Sequence, residues 1–273
     1  MFNRVKGAFV DTAALLLTRV GTLQNAGWNA LSDLGIALLD LDDLERYTLA
    51  SYGVRSAYTA DAAFQEQGLF PWENRLVDEF FPRPPAHILV PACGGGREIV
   101  PLLRRGYSVT AFDPVEKFVR VAAERTAGFG DQARVLRLSF DDLLKGPVQP
   151  PGGPFDAVLV GWGALAHVLR PQDAQNLLRR LREASSGGPI VVSFFSPNRA
   201  AVAAGSRRAR FRAVLSRLTG SDFSDPGLSF QPLAGAMRYY DRAQLEMMSR
   251  SAGLAVELYE EEGGAVRALL MPA

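Results

Sequence analysis

Short, mainly apolar runs alternate with amphipathic stretches from about residue 87 to residue 195. Ile88-Leu89-Val90 suits a strand buried on both faces and Pro189 to Phe195 is apolar throughout, while Val109 to Phe112, Ala133 to Leu138 and Phe155 to Gly161 read as the second, third and fourth strands. Between them the apolar positions recur at helical spacing: Ile99, Val100, Leu102 and Leu103; then Val115, Phe118, Val119 and Ala122; then Leu177, Leu178 and Leu181 behind Pro171. Strands alternating with helices predict an α/β fold, a doubly wound, mainly parallel sheet. Past the fifth run, Asp241 and Gln244 have capping-box spacing, and Leu245, Met248 and Ala252 lead to a stop at Gly253. Leu254 to Tyr259 and Ala265 to Met271 then form two strands about the Glu260-Glu261-Glu262-Gly263-Gly264 turn, a closing antiparallel hairpin.

Two stretches lie outside that alternation. Residues 1–82 read as a helical layer, with Phe9, Ala13, Leu16, Leu17 and Val20 on one stripe ending at Gly21, and Trp28, Leu31, Ile36, Leu38 and Leu39 on the next. This layer is expected either to pack on the core or to act as a lid. Its last third is aromatic, and Gly68-Leu69-Phe70-Pro71-Trp72-Glu73 reads as a turn into a helix, followed by the Pro82, Pro84, Pro85 linker. Residues 83–273 form the second predicted unit, interrupted by an insertion over 196–236. From Arg199 to Arg217 the insertion carries six arginines and no acid, with Phe211, Val214, Leu215 and Leu218 on one helix face.

Composition narrows the options little. The chain has 273 residues, 48% hydrophobic and 22% charged, with a net charge of +1. That is ordinary for a globular protein and gives no bulk field toward nucleic acid or membrane. A single cysteine excludes an internal disulfide, and a cytoplasmic setting is the default expectation. No run reaches the roughly 18 uncharged apolar residues of a spanning helix. Two histidines and one cysteine give no metal-ligand pattern, so no metal is expected.

The chemistry is concentrated after the first two strands. Cys93-Gly94-Gly95-Gly96 gives a sharp turn into a helix whose free N–H groups face the loop, and Asp113 ends the next strand seventeen residues after Gly96. A glycine turn followed by an acid at the next strand end is how a doubly wound sheet holds a ribose. Two cofactor classes use that plan. A dinucleotide calls for G-x-G-x-x-G, but the third glycine position holds Ile99. S-adenosylmethionine (SAM) needs the turn without a pyrophosphate site.

The pair Cys93-Gly94-Gly95-Gly96-Arg97-Glu98 and Gly106-Tyr107-Ser108-Val109-Thr110-Ala111-Phe112-Asp113-Pro114 resembles the class I (Rossmann-like) SAM-dependent methyltransferases, small-molecule type. The resemblance implies a seven-stranded sheet, SAM as cofactor and S-adenosylhomocysteine as product. It implies that Cys93, Gly94, Gly95 and Gly96 turn beneath the methionine end and that Asp113 accepts from the ribose hydroxyls. Pro114, Ser139, Phe140 and Asp141 would border the adenine, while Gly161 and Trp162 would lie near the methionine and the methyl group. One departure is plain. The acid that the family places at the end of the first strand is absent, because Val90 and Pro91 stand there and Ala92 replaces a usual glycine. Any carboxylate for the methionine end has to come from elsewhere.

The acceptor side is read from position alone. His167, six residues past the fourth run, is the candidate catalytic base, since histidine titrates in the useful range. Trp72 in the Gly68–Glu73 element, and Arg238, Tyr239 and Tyr240 before the last helix, are the substrate-binding candidates. Asp113 followed by Pro114 also has the form of a helix N-cap. The expected activity is methyl transfer to an oxygen or nitrogen of a small-molecule acceptor. The alternatives are a nucleic-acid methyltransferase guided by the arginine-rich helix and a SAM-binding protein with a non-methylating activity. Nucleic acid is disfavoured because Gly161-Trp162-Gly163-Ala164 carries no Asn/Asp-Pro-Pro-Tyr motif. The assembly is left as a single chain or a homodimer.

Overall fold

The computed structural model describes residues 24–54, 62–146, 150–197 and 227–273. The first apolar stripe, Phe9 to Val20, and the arginine-rich helix over 199–217 lie outside the described residues. Contacts divide the chain into two compact units, one of residues 1–54 with 197–239 and one of residues 55–196 with 240–273. The sequence-predicted boundary at residue 82 therefore differs from the contact boundary. Residues 62–81 fold with the sheet because Leu69, Leu76, Val77 and Phe81 bury themselves in the same core as Ile88 and Ile99.

The larger unit contains β1 (His87–Pro91), β2 (Ser108–Asp113), β3 (Ala133–Arg137), β4 (Ala157–Val160), β5 (Ile190–Phe195), β8 (Leu254–Glu262) and β9 (Ala265–Pro272). They form one seven-stranded sheet in the order β3-β2-β1-β4-β5-β9-β8. The first five are parallel and β9 is antiparallel to both β5 and β8. The order reverses between β1 and β4, the point at which a doubly wound sheet opens a crevice at its C-terminal edge. The central strands are buried on both faces, as their unbroken apolar runs require. Ile88, Leu89, Val158, Leu159, Val191 and Val192 have no exposed surface.

Helices flank the sheet: α3 (Ala62–Glu66), α4 (Pro71–Phe80), α5 (Ile99–Arg104), α6 (Glu116–Thr126), α7 (Phe140–Lys145), α8 (Pro171–Ala184) and α9 (Arg242–Ser251). Pro71 starts α4 at a position where a missing N–H costs nothing, and Glu73 reaches back to the Phe70 N–H at 2.7 Å. Asp241 and Gln244 cap α9 reciprocally at 2.8 and 2.9 Å.

Local details depart from the sequence reading. Asp113 is not a helix cap, because the chain bends at Pro114 and α6 begins only at Glu116, with the extended Val115 as its N-cap. The fourth strand is only four residues long, since Phe155 and Gly161 fall outside its pairing.

The smaller unit contains α1 (Gln24–Leu38), α2 (Leu41–Val54) and a hairpin of β6 (Leu228–Gln231) and β7 (Gly235–Arg238). The hairpin was not predicted, its apolar residues being too few for a strand pattern. Phe230 packs edge-on to Tyr47 at 5.0 Å, and Thr48 Oγ1 accepts the Ala236 N–H at 2.8 Å. Among the described residues no helix is long and apolar enough to cross a membrane.

Candidate active site

The turn after β1 is held from within. Cys93 N–H donates to the Phe112 carbonyl at 3.0 Å and Gly96 N–H to the Cys93 carbonyl at 3.0 Å. Gly96 has φ +86°, and a Cβ there would sit 3.2 Å from that of Ala122 on α6, so the loop closes against the helix only without a side chain. Ala92, where a glycine is usual, also takes positive φ, at +51°, a conformation that costs an L-residue about 1–2 kcal/mol. Cys93 is buried; burial, with Asp113 and Glu98 nearby, pushes its thiol well above its ordinary value. It acts as a small apolar residue.

Asp113 stands at the end of β2 with 6% of its surface exposed. One carboxylate oxygen accepts the Val115 N–H at 2.9 Å and the other the Gly94 N–H at 3.0 Å. Burial pushes the carboxyl up to about 6 although both N–H groups pull it down. Each oxygen keeps a second lone pair, and no other atom lies within 4 Å of the space beside Gly94 where a Cβ would be. A fixed acceptor pair next to an open glycine suits the two vicinal hydroxyls of a ribose.

The residues expected at the adenine are arranged differently. Ser139 caps α7, its hydroxyl accepting the Asp142 N–H at 3.0 Å while Asp142 returns a bond to the Ser139 N–H at 2.8 Å. Asp141 pairs with Lys145 on the exposed face of the same helix. Phe140 stands edge-on to the buried Phe112, which precedes Asp113, with centroids 6.1 Å apart. Of these residues Phe140 has the apolar surface for a base, and Pro114 follows Asp113 directly.

The sequence reading missed an ionic cluster beside the turn. Arg97, Glu73 and Glu98 expose 2%, 0% and 6% of their surface. Arg97 holds Glu73 with two parallel bonds of 2.7 Å, bonds Glu98 as well, and donates to the Gly68 carbonyl at 2.5 Å. Its guanidinium also stacks on Phe70, 3.8 Å from the ring centroid. Burial and the neighbouring Glu73 push the Glu98 carboxyl up to about 7 against the pull of Arg97. The signal in the sequence was Trp72-Glu73 together with Arg97-Glu98, which no local pattern links across 24 residues.

Past β4 the wall turns aromatic. Trp162 adopts φ +37° and remains 47% exposed, with Phe70 at 4.8 Å and Phe64 at 6.4 Å between ring centroids. A cavity of about 200 Å³ is lined by Phe70, Pro71, Trp72, Trp162, Gly163, Ser193, Phe195, Ala265 and Arg267. Trp72, expected on the substrate side, and Trp162, expected near the methionine and the methyl group, are thus brought together on one wall. Arg267 is the cation of this wall; it lies 5.8 Å from the Trp72 ring centroid and pairs with the exposed Glu262 at 2.5 Å.

The other expected residues do not line the cavity. His167 closes a short 3-10 turn, Ala164–His167, after β4. Tyr240 is fully buried, its hydroxyl donating to the Val168 carbonyl at 2.6 Å and its N–H to the Phe195 carbonyl at 3.0 Å. Arg238 is buried in the smaller unit, where Tyr239 N–H donates to the Gly227 carbonyl at 2.8 Å.

Residues 88–188 match a family model described as a methyltransferase domain. A sequence search among curated proteins finds no match. Among solved structures the chain is similar to the Burkholderia thailandensis 1,6-didemethyltoxoflavin-N1-methyltransferase, bound to 1,6-didemethyltoxoflavin and S-adenosylhomocysteine. The TM-score is 0.58 at 18% identity over 84% of this chain and 89% of that one. It is also similar to the CcbJ methyltransferase of Streptomyces caelestis, with TM-score 0.58 and 17% identity over 82% and 98% of the two chains. A third similar structure is the O-methyltransferase NcsB1 from neocarzinostatin biosynthesis, in complex with SAM and 2-hydroxy-5-methyl naphthoic acid. It has TM-score 0.54 and 20% identity over 99% of this chain and 70% of that one. These likenesses are of fold.

Proposed function

From the match of residues 88–188 to a methyltransferase domain, we propose that this chain is a class I, SAM-dependent methyltransferase that moves a methyl group to an oxygen or nitrogen of a small, flat acceptor. The observation that carries the reading is the pair of groups at the crevice: the Asp113 carboxylate fixed against the Gly94 N–H, and the aromatic cavity beside Trp162. The first fits a ribose and the second a planar ring. The similar Burkholderia and NcsB1 proteins are solved with flat ring compounds, which supports this acceptor class.

Bound SAM would supply an already activated methyl group. The chain then has to align donor and acceptor and exclude water, which is the larger part of such a reaction. In this reading Asp113 binds the ribose, the Cys93–Gly96 turn lies beneath the methionine end, and Pro114 and Phe140 flank the base. Trp162, Phe70 and Trp72 hold the acceptor ring face-on. Arg267 favours an anionic oxygen on the acceptor, so an acidic hydroxyl would be methylated as its anion. His167, which lies outside the cavity lining on the turn after β4, is kept as the proposed general base only for acceptors that retain their proton and reach that turn. The reading needs no second copy of the chain. The arginine-rich helix would have a part only if nucleic acid were the acceptor, and nothing in the cavity favours that.

Formation of S-adenosylhomocysteine with a panel of small phenols, aromatic hydroxy acids and ring amines tests the reading. Turnover with ring acceptors and none with oligonucleotides is expected; the reverse would sink it. His167→Ala should lower turnover at least tenfold for neutral hydroxyl acceptors and remove the acidic limb of the pH profile. An unchanged profile removes His167 from the mechanism.

A further inference from the structure

The cofactor named above ends in an amino acid whose α-ammonium has to be taken out of water at the methionine end of the site. An ammonium leaves water at lower cost where oxygen acceptors receive its three N–H groups, and a carboxylate among them also answers its charge. The end of β1 offers none, because Val90 and Pro91 stand there.

We propose that Glu98, held by Arg97 and backed by Glu73, is the carboxylate that receives the cofactor's α-ammonium, doing from the entry to α5 what no residue at the end of β1 can do.

Charge is the first argument. One guanidinium faces two carboxylates, all three more than nine-tenths buried, so the cluster holds one negative charge more than it neutralises. A structural ion pair would be complete with Glu73 alone, because that carboxylate already takes both ends of the guanidinium fork. Glu98 is the surplus acid, and burial pushes its carboxyl up to about 7. A ligand cation would remove that penalty.

Position is the second argument. A Cβ on Gly161, the residue that follows β4, would stand 2.8 Å from a Glu98 oxygen and 3.1 Å from a Glu73 oxygen. The carboxylates therefore reach the sheet edge between β1 and β4, beside the glycine turn, and the missing side chain at residue 161 leaves them that approach. Trp162, on the wall of the acceptor cavity, is the next residue. The ammonium subsite would thus lie between the ribose acceptor Asp113 and the ring that positions the acceptor.

This inference rests on the SAM reading, and the test separates the two. The probes are S-adenosylhomocysteine and 5′-methylthioadenosine, which share the adenosine and the sulfur but differ in the amino-acid end. Calorimetry on the wild-type chain should show the homocysteine compound binding more tightly. Glu98→Gln should cost it roughly 10- to 100-fold while leaving methylthioadenosine within about twofold. Should that variant not fold, the wild-type pH dependence gives the answer. Glu98 carries its proton below about 7, and the ammonium needs the ionised form. The affinity ratio of the two ligands should therefore rise about fivefold from pH 6 to pH 7, about twofold more to pH 8, and then level off. Arg97 and Glu73 pack on Glu98, and the Cys93 thiol, raised by burial, lies near both Glu98 and Asp113. Asp113, at about 6, faces the adenosine common to both ligands and cancels in the ratio. A ratio unaffected by both Glu98→Gln and pH overturns the inference while leaving the SAM reading standing. Absence of binding by either ligand overturns both.

Discussion

The C-terminal edge of the sheet differs on the two sides of β4. Toward β1 and β2 it is polar and rigid: Asp113 is gripped by two backbone N–H groups, and Glu73, Arg97 and Glu98 form a buried network. Toward β5 and β9 it is a half-open aromatic cavity with one arginine whose partner is exposed. The difference matches two kinds of ligand. A charged ligand that is the same at every turnover is met by fixed charges that need not reorganise. A flat acceptor is met by ring faces, which give contact area with few directional demands.

Removing groups from the two sides should break the molecule in different ways. The largest effect is expected at Arg97. Arg97→Met leaves Glu73 and Glu98 buried without a cation, and breaking a buried pair in this way costs about 3–5 kcal/mol. Thermal unfolding should show a large fall in midpoint even without ligand; an unchanged midpoint would mean the cluster is wetter than its burial says. Asp113→Ala comes next. It should cost roughly 1.5–3 kcal/mol of S-adenosylhomocysteine binding if the bonds to both hydroxyls are lost, read by calorimetry, with folding retained. The smallest effect is expected across β4. Trp162→Ala should raise the acceptor KM by up to about tenfold, in line with the 0.5–1.5 kcal/mol of one ring contact, and barely move cofactor affinity. If Trp162→Ala weakened cofactor and acceptor alike, the two sides would not be separate.

The polar side was legible in the sequence only where its parts lie close together. The Cys93–Gly96 turn and Asp113 belong to consecutive strands, so a spacing announces them. The central strands were legible because burial on both faces demands unbroken apolar runs, whereas the partly exposed β3, with Arg134 and Arg137, was legible from its place in the alternation. Asp113 as a helix cap was wrong for a local reason, the bend at Pro114 and the extended Val115 delaying α6 to Glu116. Glu98 was passed over because one carboxylate near a helix start looks like any other; what singles it out is Arg97 and Glu73, the latter brought from α4 by tertiary packing. The cavity was the least legible part. Its walls come from the start of α4, the turn after β4 and the ends of β5 and β9, and Phe70, Phe195 and Arg267 share no pattern along the chain.

Everything proposed for the crevice depends on a cofactor that carries an adenosine and an amino acid at its two ends. Titration calorimetry of the full chain with S-adenosylhomocysteine, with NAD as the comparison, tests that most directly. Saturable binding of S-adenosylhomocysteine, lost in Asp113→Ala, together with no heat from NAD, is the result predicted. Binding of NAD with no heat from S-adenosylhomocysteine would contradict the account.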